Sequence, residues 1–243
     1  MLFRSNRLLF HPNLSGNLCF GFIPLTTIVG KPHNIFALSE FSAFAILQSR
    51  VHEFWARFFG SSLKDDLRYT PSDCFETFPF PKNWKSNEPL EKTGREYYEF
   101  RATLMVSNNE GLTKTYNHFH SPYESSEGIR RLRELHSAID RAVLNAYGWD
   151  NIQTTCDFIL DYEDEEDESE STGRTRKKPW RYRWPDEIRD EVLARLLALN
   201  EERAKEEKLA GLLMEPTAEY GSKKRKSKKK KKSQDNSNQE DLF

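Results

Sequence analysis

Residues 39–81 read SEFSAFAILQSRVHEFWARFFGSSLKDDLRYTPSDCFETFPFP, and this stretch decides the fold. Phe41, Phe44, Ala45, Leu47, Val51, Phe54, Trp55 and Phe58 recur at three- and four-residue spacing. That spacing puts them on one face of a helix. The pattern predicts a long helix with Ser39 as its N-cap, ending near Phe59, with Gly60 as the stop. Gln48, Arg50, His52, Glu53 and Arg57 fall mostly off the apolar face. Ser61–Arg68 is polar and charged and reads as a loop. Tyr69-Thr-Pro-Ser-Asp is a turn, and Phe75–Pro81 is an extended Phe-Pro segment, because prolines at 79 and 81 forbid helix there.

Upstream of this stretch the signals are those of β structure. Arg7–His11, Leu18–Ile23, Thr26–Val29 and Asn34–Leu38 are short apolar or β-branched runs separated by Asn, Gly and Pro. Three or four strands are expected. A sheet that small has bare edges and little core of its own.

Downstream, residues 88–118 have helical character in two pieces, broken near Asn108–Gly111. A third helix starts at Ser125 or Ser126, has Ile129, Leu132, Leu135, Ile139, Val143 and Ala146 as its buried stripe, and stops at Gly148. A last helix opens at Pro185, with Ile188, Val192, Leu196 and Leu199 as its apolar stripe. Charge blocks lie between and after these elements. Eight carboxylates fall within 161–170, and nine Lys and Arg within 223–232. Both blocks have the composition of solvated, disordered segments. The net charge of −1 hides this separation.

The expected fold class is therefore α+β: a small N-terminal β module with a long packed helix, then a mainly helical region and disordered charged segments. The expected divisions are 1–84 for the β module with its helix and 85–149 for the helical region. A charged linker at 150–180, a C-terminal helix at 181–212 and a basic and polar tail at 213–243 follow. The three cysteines are far apart and form no C-x-x-C pair, which points to a reducing, cytoplasmic setting and gives no zinc signal. No apolar run reaches the ~18–20 residues of a membrane span.

Motifs for nucleotide cradling, nucleophile elbows and zinc hydrolysis are missing from the sequence. No catalytic, cofactor-binding or metal-binding residue is assigned. Nucleic-acid contact has the better support. Arg174–Pro185, RTRKKPWRYRWP, interleaves cations with Trp180, Tyr182 and Trp184. Such a mixture either neutralises phosphate and stacks on bases, or packs its rings on the protein while the cations reach water. Arg50, His52, Arg57, Ser62, Lys64 and Arg68 form a second candidate set, on the helix and the loop after it.

The run FAILQSRVHEFWARFFGSSLKDDLRYTPSDCFETFPFP at 44–81 resembles the segment that closes the target-recognition region of large adenine-specific DNA methyltransferases of the type IIG-like restriction–modification kind. GLTKTYNHFH at 111–120, RLRELHSAIDRAVLNAYGW at 131–149 and YRWPDEIRDEVLARLLALNEER at 182–203 are similar to that family's C-terminal helical region. The resemblance implies a role in DNA target recognition beside a methyltransferase catalytic domain or chain, with double-stranded DNA as partner. The full-length family uses S-adenosylmethionine and an Asn-Pro-Pro-Tyr type motif. No Pro-Pro pair occurs in this sequence, so the expectation is a portion without the catalytic half, inactive alone and holding no cofactor. On this reading Arg50, Arg57, Lys64 and Arg68 contact phosphates or base edges, and the Phe-Pro segment docks the module on the catalytic domain. The rivals are a non-enzymatic helical scaffold that binds a protein partner, and a specificity subunit that complements a separate methyltransferase chain.

Overall fold

A computed structural model describes residues 6–63, 66–160 and 180–211. Residues 1–204 form one compact unit, and the architecture is the expected α+β mixture. The acidic run 161–170 and the basic tail lie outside the described residues, as do Lys64 and Arg174–Pro179.

Two three-stranded antiparallel sheets make the N-terminal part. In the first, β1 (Arg7–Pro12) is flanked by β3 (Gly21–Pro24) and β4 (His33–Phe36). In the second, β6 (Asp66–Arg68) is flanked by β2 (Leu14–Ser15) and β5 (Ser61–Leu63). Leu9, His11 and Phe36 point inward from the first sheet, and Leu67 from the second. The pleat then turns their sequence neighbours outward.

Several sequence expectations change here. Leu18–Ile23 was expected to be one strand, but pairing begins only at Gly21. Side chains satisfy the preceding backbone instead. The Gln48 amide donates to Leu18 O at 3.0 Å and accepts from Phe20 N at 2.9 Å. Arg101 donates to Phe20 O at 2.7 Å. Thr26–Val29 is no strand. It belongs to an exposed crossover that carries the chain from the end of β3 to the start of β4, on the far side of β1. Ser61–Arg68 is no simple loop, because β5 and β6 pair there.

The long helix is two helices, α1 (Phe41–Gln48) and α2 (Arg50–Phe59). Ser49 is extended between them, at φ −68° and ψ 157°, and its side chain caps α2 by accepting from His52 N. Ser39 is not the N-cap of α1. Glu40 occupies that position without a side-chain bond, and Ser42 N donates instead to Glu91 Oε2 at 2.8 Å. Every residue of α1 is buried, whereas α2 is two-sided. Phe58 leaves the buried face and is exposed.

A four-residue helix α3 (Pro71–Cys74) starts the turn before the Phe-Pro segment. Helices α4 (Glu88–Asn108), α5 (Leu112–His120) and α6 (Glu127–Tyr147) lie where the periodicity predicts helix, with the break between Asn108 and Leu112. Gly148, at φ 76°, ends α6 in the left-handed region that glycine tolerates. A hairpin of β7 (Asp157–Leu160) and β8 (Trp180–Arg183) precedes α7 (Asp186–Leu209). Pro185 stands just before α7, and its carbonyl accepts from Arg189 N at 3.1 Å. One buried cluster joins Leu9 and Phe20 of the β part, Trp55 of α2, Tyr97 of α4, Ile139 of α6 and Trp184 and Val192 near and on α7. No helix among the described residues is long and apolar enough to cross a membrane.

Candidate nucleic-acid interface

The two sheets meet at Asn13. Its N–H donates to Pro32 O at 2.9 Å, and its carbonyl accepts from Tyr69 N at 2.8 Å. Asn34 Nδ2 completes the seam by donating to Tyr69 O at 3.0 Å. The start of β4 and the end of β6 are thus tied together across one residue. Strand alternation in β6 does the rest: Leu67 and Tyr69 are buried, and Arg68 is exposed. Arg68 lies opposite Leu14 in one neighbouring strand and Ser61 in the other, both exposed. Across the seam Lys31 and His33 are exposed as well. Among the described residues neither Lys31 nor Arg68 has an ion-pair partner. The result is a cationic strip over an aromatic floor. Below it Tyr69 packs on His11 at 4.8 Å and hydrogen-bonds His52 Nε2 at 3.0 Å.

This geometry divides the six predicted contacts. Arg68 is on the strip. Arg57 is at its edge, 30% exposed, with its guanidinium on Glu53 at 2.8 Å and near Gly16 O at 3.5 Å. Ser62 lies in β5 between Ser61 and Leu63, and Lys64 falls outside the described residues.

Arg50 and His52 are corrections: both are in the core and neither reaches a ligand in solvent. Arg50 sits at the start of α2 and donates to Asp140 Oδ2 of α6 at 2.5 Å. It also donates to Tyr182 O of β8 at 3.1 Å and lies 2.9 Å from His136 Nδ1. Its own N–H donates to Asp140 Oδ1 at 2.9 Å. Burial alone raises the Asp140 carboxyl, but Arg50 and His136 overcome this and hold it below the usual range. His52 is fully enclosed, and burial pulls its ring down to about 3, with His11 adding to the effect. It is a neutral core residue, not a phosphate ligand.

The basic-aromatic patch resolves toward packing where it is described. Trp184 is fully buried on Phe54, with ring centres 5.5 Å apart. Arg181 is buried and donates to Asn17 Oδ1 at 2.6 Å, and Arg183 pairs with Asp186 at 2.6 Å. The Phe-Pro segment also packs inward. Phe75 meets Phe36 at 4.7 Å, Phe78 meets His52 at 4.6 Å, and Tyr147 of α6 donates to Pro79 O at 2.9 Å. It anchors this chain to itself.

Sequence reasoning missed Lys31, His33 and Asn34. Their only signal was Gly-Lys-Pro-His between two apolar runs, which reads as a connection and nothing more. Their place beside Arg68 depends on a rung of hydrogen bonds between residues far apart in sequence.

The class of protein this arrangement fits is defined by the comparisons. Residues 16–82, which hold β3 to β6 and α1 to α3, match the family model described as the MmeI target recognition domain. This segment is thus similar to a target recognition domain, in line with its sequence resemblance. The particular solved structure it is similar to is that of MmeI, a type IIL restriction-modification enzyme, in complex with DNA. The two share 16% identity with a TM-score of 0.50, over 84% of this chain and 22% of that chain. That likeness concerns the fold. The chain spans about a fifth of the length of the solved enzyme. No curated protein matches it.

Proposed function

We propose that this chain is the DNA target-recognition portion of a restriction–modification enzyme, and that double-stranded DNA lies along the strip of Lys31, His33, Arg68 and the edge residue Arg57. One observation carries the reading: the matched segment 16–82 supplies the exposed Lys31 and Arg68, which Asn13, just upstream of it, ties together through Pro32 and Tyr69. Lys31 and Arg68, exposed and without an ion-pair partner among the described residues, suit the phosphate backbone. Ser62 is retained as a candidate contact because it is in β5, which pairs with the strand that presents Arg68; Lys64, outside the described residues, is retained on its sequence position alone.

Methyl transfer is assigned to a catalytic domain or a separate methyltransferase chain. Binding of S-adenosylmethionine is assigned to that same domain or chain. The larger groove, about 620 Å³ between β3 and α4, is lined mainly by apolar groups such as Phe10, Phe22 and Met105. Its one carboxylate, Glu110, is engaged with His118 at 3.3 Å. No step is derived through that cofactor.

A gel-shift titration of the full chain against duplex DNA tests the reading. Wild-type protein should bind with a steep salt dependence and keep a sequence preference above ~150 mM salt. Arg68→Ala should weaken binding of all duplexes without changing the unfolding midpoint. Weak, sequence-blind binding that disappears with residues 222–243 would instead assign the effect to the basic tail.

A further inference from the structure

The crossover between β3 and β4, residues 25–32, does not pack like an ordinary connection. Ile28 is 98% exposed and Leu25 is 46% exposed, while Thr26 and Thr27 between them face water. An isoleucine standing in water forgoes the transfer free energy that burial would give it. The rest of the crossover is held. Leu25 N donates to Asn6 O and Thr27 N to Pro24 O, each at 2.9 Å. At the far end Pro32 O accepts from Asn13 N, and His33 Nδ1 lies 2.8 Å from Gly30 O. Both ends are fixed to the sheet, and the apolar side chain is offered at the middle.

Its surroundings select a partner. Residues 24–36 contain no Asp or Glu. Lys31 and His33 close the crossover, and the Asn13 seam places them next to Arg68. An exposed apolar tip preceded by two hydroxyls, on a segment whose only formal charge is that of Lys31, complements a groove of duplex DNA. The apolar group meets base edges or a thymine methyl, hydroxyls meet donors and acceptors, and cations meet phosphate. A protein partner would be better matched by a broader apolar patch than by one residue at a loop tip.

The geometry points to the 25–32 crossover as a base-reading element: Ile28, with Thr26 and Thr27, contacts base edges, and Lys31 holds the adjacent phosphate. This rests on the target-recognition reading above. It adds the residues that discriminate sequence, which the cation strip alone does not supply.

The test is a selection of bound duplexes from a random-sequence pool using the full chain, followed by titration of the enriched duplex against a scrambled one. Ile28 touches little, so Ile28→Ser leaves the fold intact, and thermal unfolding verifies it. Wild-type protein should enrich a motif. Ile28→Ser should keep its affinity for scrambled duplex within about twofold and lose about tenfold of its preference for the motif. Lys31→Ala should weaken both duplexes alike and reduce the salt slope by about one. A motif that Ile28→Ser reads unchanged would overturn the crossover as a reading element and leave the target-recognition function standing. A wild-type chain that enriches no motif would overturn both, and a protein partner whose binding Ile28→Ser abolishes would then own this tip.

Discussion

Arg50 shows how far one residue's role depends on its surroundings. By type and position it looked like a phosphate contact; in place it is the buried tie between α2, α6 and β8. Removing one partner of a buried pair leaves the other charged and desolvated, which costs about 3–5 kcal/mol. Arg50→Ala is therefore expected to lower the unfolding free energy by that amount in a denaturant titration, whereas Arg68→Ala should stay within about 0.5 kcal/mol of wild type. An Arg50→Ala chain of unchanged stability that had lost DNA affinity would return Arg50 to the contact set. The buried histidines make a second test. His11 and His52 are each pulled down to about 3 by burial, against about 6.5 when unfolded. Below pH 6.5 the unfolded chain takes up protons that the folded chain refuses. Their contribution is complete above pH 6.5 and is lost as pH falls toward 3, at up to about 1.4 kcal/mol per pH unit for each ring. Among the described residues neither ring nitrogen of His11 makes a hydrogen bond of good geometry, and its neighbours Phe20 and Tyr69 are aromatic. His11→Phe should flatten the acid limb by about one proton without loss of stability at pH 7; a steeper limb would show that His11 is protonated in the fold.

At the level of elements, the break at Ser49 matters most. A continuous helix from Phe41 to Phe59 would keep one direction throughout. The extended Ser49 lets α1 lie wholly inside, against α4, while α2 turns one side to the sheets. The periodicity of Phe and Trp was legible because both halves bury apolar faces. The break was not, because Ser is tolerated within helices and its capping role appears only once His52 N is placed. Gly94 governs the α1–α4 contact. On an exposed helix Gly→Ala gains up to ~1 kcal/mol in propensity. Here the added methyl would strike the Phe41 carbonyl, a backbone atom that cannot rotate away. Gly94→Ala should destabilise by about 1–3 kcal/mol in thermal unfolding despite its better propensity. A stabilised variant would show that the two helices can separate. Gly60 has a similar origin: it ends α2 as expected, but in extended geometry, and a methyl there would lie 2.6 Å from Leu67 Cδ1.

For the whole molecule, the β part and the helices share a single buried cluster, so the proposed DNA-contacting strip and the helix packing belong to one cooperative unit. The tail is a separate matter of charge. Deleting residues 222–243 removes nine cations between 223 and 232, and should lower non-specific duplex affinity and the salt slope while leaving the selected motif unchanged. A motif lost with the tail would move sequence reading out of the folded unit. The sequence by itself determined the α+β class, the helices after residue 88, the stop at Gly148 and the resemblance of the segment around 44–81 to target-recognition regions. These rest on local periodicity, turn chemistry and a contiguous motif, all of which are written along the chain. Only the tertiary structure decided which cations face water. Arg50 and Arg68 have the same chemistry, and their fates are set by Asp140, 90 residues from Arg50, and by the alternation of a three-residue strand. Likewise, Lys31 joins Arg68 only because Asn13 hydrogen-bonds on both sides, a long-range pairing that no local pattern encodes.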